Sequence, residues 1–315
     1  MTPGKTYMSS DEIRPLAARS DLMGAVLILH AYGVVVLAIA VFAFWSNALT
    51  FVLAVVLIGS RQLGLAILMH DAAHRALFRT GWINEWAGVW LCGHPILADM
   101  GAYRHYHLTH HRFTQTEKDP DLKLSRPFPT TRASLIRKAL RDLTGRTGLR
   151  GLRNQIVMQF KLAGDDDAKE AASKQAQAFK GSGLGGPLLV NAILFAVLWA
   201  IGDWWWWLAF WFLPLMTWYQ LVLRVRNIAE HALTEFDDDP FKNVRTTRAS
   251  WVARALVAPY WVNYHLEHHM IMHVPCWQLP AMHRLLLAKG HGARMTIAPN
   301  YWSVLRDVGW SNRAA

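Results

Sequence analysis

Residues 22–45 are 24 consecutive positions without a charged side chain. As a helix rising 1.5 Å per residue, that run reaches ~36 Å, more than the ~30 Å hydrocarbon core of a bilayer. In lipid every backbone amide must be paired within its own segment, so such a run commits the chain to a spanning helix. Residues 46–48 make a very short turn, and residues 49–69 continue apolar, interrupted only by Arg61-Gln62. A second pair follows later. Residues 183–201 are apolar apart from Asn191, Gly202-Asp203 turns the chain, and residues 204–223 carry no charge, with Pro214 as a kink point. The expected fold class is an all-α membrane protein. It is one domain over residues 1–315, with four transmembrane helices in two hairpins and a helical cytosolic cap from residues 70–182 and 224–315.

Composition supports the spans and orients them. The chain has 16 tryptophans, and Trp204 to Trp207 open the last apolar run, as expected for a membrane-interface belt. The net charge is +11. Sixteen Lys and Arg lie in residues 102–182, 11 in residues 224–315, and none in the two short turns. The positive-inside rule therefore puts the N-terminus and both long segments in the cytosol, which is the inner face of the cell membrane for a bacterium. A basic chain can serve nucleic acid or an anionic lipid surface. The apolar runs favour lipid, and no nucleic-acid partner is expected. Two cysteines, Cys92 and Cys276, are too few for a disulfide framework or a cysteine-ligated metal. The first apolar run is too long for a cleaved signal and is expected to stay as an anchor.

Some features leave two readings open. Arg61 either faces a protein interior or snorkels to the interface. Residues 82–98 contain Glu85, His94 and Pro95 and read as an interfacial or re-entrant helix rather than a fifth span. Residues 144–186, with Asp165-Asp166-Asp167, read as a cytosolic linker with helical pieces. Residues 279–289 have an apolar face suited to a membrane surface.

The 15 histidines are grouped. His70 and His74 are four apart. His107, His110 and His111 form H-x-x-H-H, and His265, His268 and His269 repeat that spacing. Asn227 and His231 are four apart. Residues three or four apart share a helix face, with β-carbons about 5–6 Å apart, so one H-x-x-H-H turn can aim three imidazoles at one location. A lone pair of this kind could merely cap a helix end. Two triplets, a pair and an Asn-x-x-x-His, all on the same predicted side of the membrane, point to metal. His30 reads as a packed polar contact, and His94, His273, His283 and His291 lack ligand spacing. His105 points away from the His107 face. Nine imidazoles are too many for one ion, since a catalytic zinc uses about three protein ligands. A two-metal site follows, and imidazole suits zinc, copper, iron and nickel alike.

The motifs H-D-A-A-H at His70 to His74, H-L-T-H-H at His107 to His111 with Glu117, Asp119, Pro120 and Asp121 after it, and H-L-E-H-H at His265 to His269 resemble the three histidine boxes of integral-membrane fatty acid desaturases. Asn227 to His231 is similar to the Asn-x-x-x-His element of stearoyl-CoA desaturases. The resemblance implies a di-iron centre (two Fe ions) with dioxygen as co-substrate. Its metal ligands would be His70, His74, His107, His110, His111, His231, His265, His268 and His269, with Asn227 contacting the centre through water. It implies removal of two vicinal hydrogens from a membrane lipid or acyl substrate. Asp71, Glu230 and Glu267 adjoin these ligands and are candidates to hydrogen-bond them from outside. No His-Pro-Gly-Gly heme motif occurs, so electrons would come from a separate carrier of ferredoxin or cytochrome b5 type with its reductase. Hydroxylases and ketolases of lipids, alkanes and carotenoids carry related boxes. A membrane metal transporter or sensor would need an ionisable path through the spans, which offer little beyond Arg61, His30 and Asn191.

Overall fold

The computed structural model describes residues 7–160, 183–237 and 239–309. The Asp165 to Asp167 cluster of the expected linker lies outside them. A short helix α1 (Ser10–Leu16) leads into α2 (Asp21–Phe44) and α3 (Ala48–Ala73), the first hairpin. Its turn is closed by Asn47, whose Oδ1 accepts from the backbone N–H of Leu49 at 2.9 Å and Thr50 at 3.1 Å, capping the free amides of α3. After α3 come α4 (Gly81–Ala87), α5 (Met100–Phe113), α6 (Leu122–Ser125), α7 (Arg132–Leu143) and α8 (Arg146–Phe160). The helix begun by α4 continues through a π turn, Gly88–Gly93, and a 3-10 turn, His94–Ile96. Then come α9 (Gly185–Ile201) and α10 (Leu208–His231). The last helices are α11 (Trp251–Leu256), α12 (His265–Met270), α13 (Leu279–Ala288) and α14 (Tyr301–Gly309). Two residue pairs, Thr246–Thr247 and Ile297–Ala298, form a minimal parallel ladder beneath α12.

Three helices are long and apolar enough to cross a membrane: α2, α3 and α10, of 24, 26 and 24 residues. The third expected span, α9, is apolar but only 17 residues long. Two boundaries differ from expectation in a way that matters for the site. Helix α3 runs on to Ala73, so His70 lies in its last turn and His74 caps it. Helix α10 runs to His231, eight residues past the expected end, and carries Asn227 and His231 in its final turns. Uncharged sequence marks only the stretch in lipid, whereas the backbone ladder continues until a cap or break stops it.

Helix α3 is the centre of the bundle. Its polar trio Ser60, Arg61 and Gln62 is buried. Gln62 Nε2 donates to the Trp211 carbonyl at 2.8 Å, and Ser60 Oγ accepts from Trp218 Nε1 at 3.0 Å, which ties α3 to α10. Arg61 donates to the Ala255 carbonyl and lies 5.7 Å from the centre of the Tyr260 ring. It therefore faces the protein interior and does not snorkel. Tyr260 also holds His30, whose Nδ1 is 3.1 Å from the phenol oxygen. Helix α9 is fixed through Asn191, whose Nδ2 donates to the His94 carbonyl at 3.1 Å. Trp211 Nε1 donates to the next carbonyl, Pro95, at 2.9 Å.

Candidate metal centre

Four helices deliver imidazoles to one place. The C-terminal turn of α3 brings His70 and His74, α5 brings His107, His110 and His111, the end of α10 brings His231, and α12 brings His265, His268 and His269. They sort into two groups. His70, His74, His107, His111 and His268 each offer one ring nitrogen, and these five lie within 4.8 Å of one another. His110, His231, His265 and His269 meet the same limit. The groups share a wall, where the His111 and His269 rings stack with centroids 4.1 Å apart.

Each H-x-x-H-H triplet is divided between the groups, contrary to the expectation that one turn aims all three rings at one point. At about 100° per residue, positions i and i+4 differ by only about 40°, whereas i+3 falls about 60° to the other side. His107 and His111 accordingly stay together, as do His265 and His269. The middle histidine of each motif, His110 or His268, crosses to the opposite group.

The nitrogen pattern fits a metal. His111 Nε2 lies 2.9 Å from His107 Nε2 and 3.0 Å from His268 Nε2, and His265 Nε2 lies 2.8 Å from His231 Nε2. Converging imidazole nitrogens need either a shared proton or a shared cation. Six ring nitrogens of the nine residues are buried with no hydrogen-bond partner: His70 Nε2, both nitrogens of His74, His111 Nδ1, His231 Nδ1 and His269 Nε2. Orphaned buried polar atoms are rare in folded proteins and ask for an explanation. Burial, followed by the charge of neighbouring imidazoles, holds His107, His111, His265, His268 and His269 well below the usual histidine range. They are therefore neutral, the form that binds a metal. Burial would also lower His110, but its hydrogen bond to Asp119 and the charges of Asp121 and Asp119 raise it instead.

Outward-facing nitrogens are held by a ring of partners. His110 Nδ1 meets Asp119 Oδ1 at 2.8 Å, and Asp119 is fixed by the Gln115 and Asp121 backbone amides, each at 2.8 Å. His70 Nδ1 is 3.4 Å from Asp71 Oδ1, while Asp71 Oδ2 accepts from the Cys276 amide at 2.8 Å. His265 Nδ1 is 3.5 Å from Glu230 Oε1, which also accepts from Arg226 Nε at 2.6 Å. His269 Nδ1 is 3.3 Å from Thr114 Oγ1. Such contacts set the tautomer, leaving Nε2 to face the centre.

Among the sequence candidates, Asp71 and Glu230 thus lie against ligand-set histidines. Glu230 reaches His265 on another helix rather than its neighbour His231. Glu267 touches none of the nine; it accepts from Thr246 Oγ1 and lies 2.5 Å from His283 Nδ1, bracing α12 against α13. Asn227 is half-buried one turn before His231. His105 is exposed, and His94 packs on Trp90, away from both groups. Sequence reasoning did not single out the roles of Asp119, Thr114, Arg226 and His283. Asp119 alone left a signal, as part of the acidic run after the second box. An open cavity of about 1170 Å³, lined by Gln115, Thr116, Thr234 and Phe236 among others, reaches His231.

The fatty acid desaturase family model matches residues 43–299. A dihydrorhizobitoxine desaturase of Bradyrhizobium elkanii is 28% identical over 292 residues, covering 85% of this chain and 75% of that protein. An sn-1 oleoyl-lipid 12-desaturase of Picosynechococcus sp. is 24% identical over 249 residues, covering 71% of this chain and 65% of that protein.

Proposed function

The chain belongs to the fatty acid desaturase family, and on that premise we propose that it desaturates an acyl chain at a membrane-embedded di-iron centre, using dioxygen. The observation that carries the reading is the pair of largely buried imidazole groups sharing a wall, each with one nitrogen per ring converging within 4.8 Å. One iron would be held by His70, His74, His107, His111 and His268, the other by His110, His231, His265 and His269, with Asn227 reaching the second through water. When bound there, the ions would supply dioxygen activation. The net reaction balances as one CH2–CH2 unit, one dioxygen, two electrons and two protons giving one CH=CH unit and two waters.

The protein's own part is positioning. Asp119, Asp71 and Glu230 orient His110, His70 and His265, and Arg226 keeps Glu230 in place. Six of the nine histidines are buried, which limits the access of water and protects an oxidising site from side reactions. The cavity that ends at His231 is the approach from the water-facing side, where a separate carrier of ferredoxin or cytochrome b5 type would deliver electrons. By the charge asymmetry of the loops this side is the cytosol.

The test is lipid profiling by mass spectrometry after expression in a desaturase-free host with a supplied ferredoxin and reductase. Loss of two hydrogens from one acyl species supports the reading. Gain of an oxygen points to a hydroxylase on the same centre, and unchanged lipids despite bound iron refute it.

A further inference from the structure

Away from the histidines, helices α7 and α8 form a corner against the middle of α10. The corner is built. Asp142, fully buried, accepts from Arg224 Nε at 2.5 Å and Nη2 at 2.8 Å, and from Thr147 Oγ1 at 2.5 Å. Gly145 turns the chain with φ +74°, in the left-handed region where glycine is unstrained. Gly148 lets α8 touch α10, since a Cβ there would lie 2.8 Å from the Met216 backbone.

Two cavities open at this corner and share Thr144 as a wall. The first, about 670 Å³, is lined by Arg137, Lys138, Arg141 and Arg146 with Ser134 and Leu140. No carboxylate among the described residues pairs with any of these four cations; Lys138 rests on the Phe128 ring at 4.9 Å. The second, about 410 Å³, is an apolar groove between α8 and α10, lined by Leu149, Leu208, Ala209, Phe212, Leu213 and Met216. From Leu208 to Thr217 it follows the helix for ~14 Å. It is open on the outer face of a membrane-spanning helix, where Leu208 and Leu213 are exposed. Around the cationic cavity, Ile136, Leu140, Leu143 and Leu149 are also exposed between the basic residues, the pattern of helices lying in a membrane interface.

We propose that this corner binds an anionic phospholipid, its phosphate held by Arg137, Lys138, Arg141 and Arg146 and one acyl chain laid in the groove along α10. Four cations with no carboxylate partner among the described residues match a phosphodiester, and arginine pairs with phosphate bidentately. The groove takes the tail. A soluble phosphate would leave that groove exposed, and a neutral lipid would leave the cations unpaired. The inference is independent of the reaction at the histidines and rests only on α10 crossing the bilayer.

The test uses the full chain in nanodiscs of phosphatidylcholine with or without phosphatidylglycerol, followed by native mass spectrometry of retained lipid. Wild type is expected to retain phosphatidylglycerol over phosphatidylcholine by about tenfold or more. The combined variant Arg137→Gln, Lys138→Gln, Arg141→Gln and Arg146→Gln should lose that preference while keeping its metal content and elution volume. Ala209→Trp, which fills the groove and leaves the charges, should lose retained lipid as well. Unchanged retention in the quadruple variant overturns the proposal. So does displacement of the lipid by millimolar inorganic phosphate or coenzyme A, which would make the cavity a soluble-phosphate site. Equal retention of both lipids by wild type overturns it too.

Discussion

Asp119 Oδ1 lies 2.8 Å from His110 Nδ1, with both side chains buried and the carboxylate itself fixed by two backbone amides. That arrangement decides which nitrogen of His110 faces the candidate metal. Outer-shell carboxylates of this kind typically contribute about 10–100-fold to metal affinity or activity. Asp119→Ala should lower turnover or iron retention by that order, and Asp119→Asn, which keeps an acceptor oxygen, by less. Iron content and product yield measure both. Wild-type values in Asp119→Ala would show the contact to be incidental.

The division of the nine histidines makes a stoichiometric prediction. His268→Ala removes a nitrogen from the group of five and His265→Ala one from the group of four. Each should abolish product formation, and each should reduce retained iron from about two ions per chain toward one, since a metal site loses affinity steeply with each missing ligand. Elemental analysis of purified protein reads the result. Two ions retained in His268→Ala would dissolve the assignment.

Chelation should destabilise the fold, not merely inactivate it. Without metal, six buried ring nitrogens lack partners, and a ligand that binds only the folded state adds stability by mass action. The thermal midpoint in detergent is expected to fall after iron removal and to recover on adding Fe(II). A midpoint indifferent to iron would mean that the groups do not hold it tightly.

Two glycines of α2 should respond in opposite ways. A Cβ on Gly24 would lie 2.6 Å from the Leu77 carbonyl and 2.8 Å from the Phe78 ring, so Gly24→Ala forces backbone to move and should cost about 1–3 kcal/mol. Gly33 meets nothing within 4 Å, and Gly33→Ala should be neutral or slightly stabilising through helix propensity. Thermal unfolding of the pair checks this. Equal midpoints would argue that the contact between α2 and the 77–78 segment is loose.

Much of the fold was legible because it follows from local rules. Uncharged runs must be helices in lipid, so α2, α3 and α10 could be placed from composition alone. The end of α10 could not, because Arg224 and Arg226 broke the apolar pattern while their side chains found Asp142 and Glu230 in the folded protein. Arg61 was left with two readings for the same reason: its partner, the Ala255 carbonyl, is 194 residues away.

By itself the sequence determined that nine histidines at spacings of three and four would meet near the ends of apolar helices. Spacing even contains the split of each triplet, since helical period separates the middle histidine from the outer pair. Only the tertiary structure decided that His268 joins His107 and His111 while His110 joins His265 and His269. That pairing needs α5 and α12, more than 150 residues apart, to face each other across the ends of α3 and α10. The carboxylates that orient the rings were chosen in the same way. Glu230 serves His265 rather than its neighbour, because a hydrogen bond depends on where packing brings two side chains and not on their order in the chain.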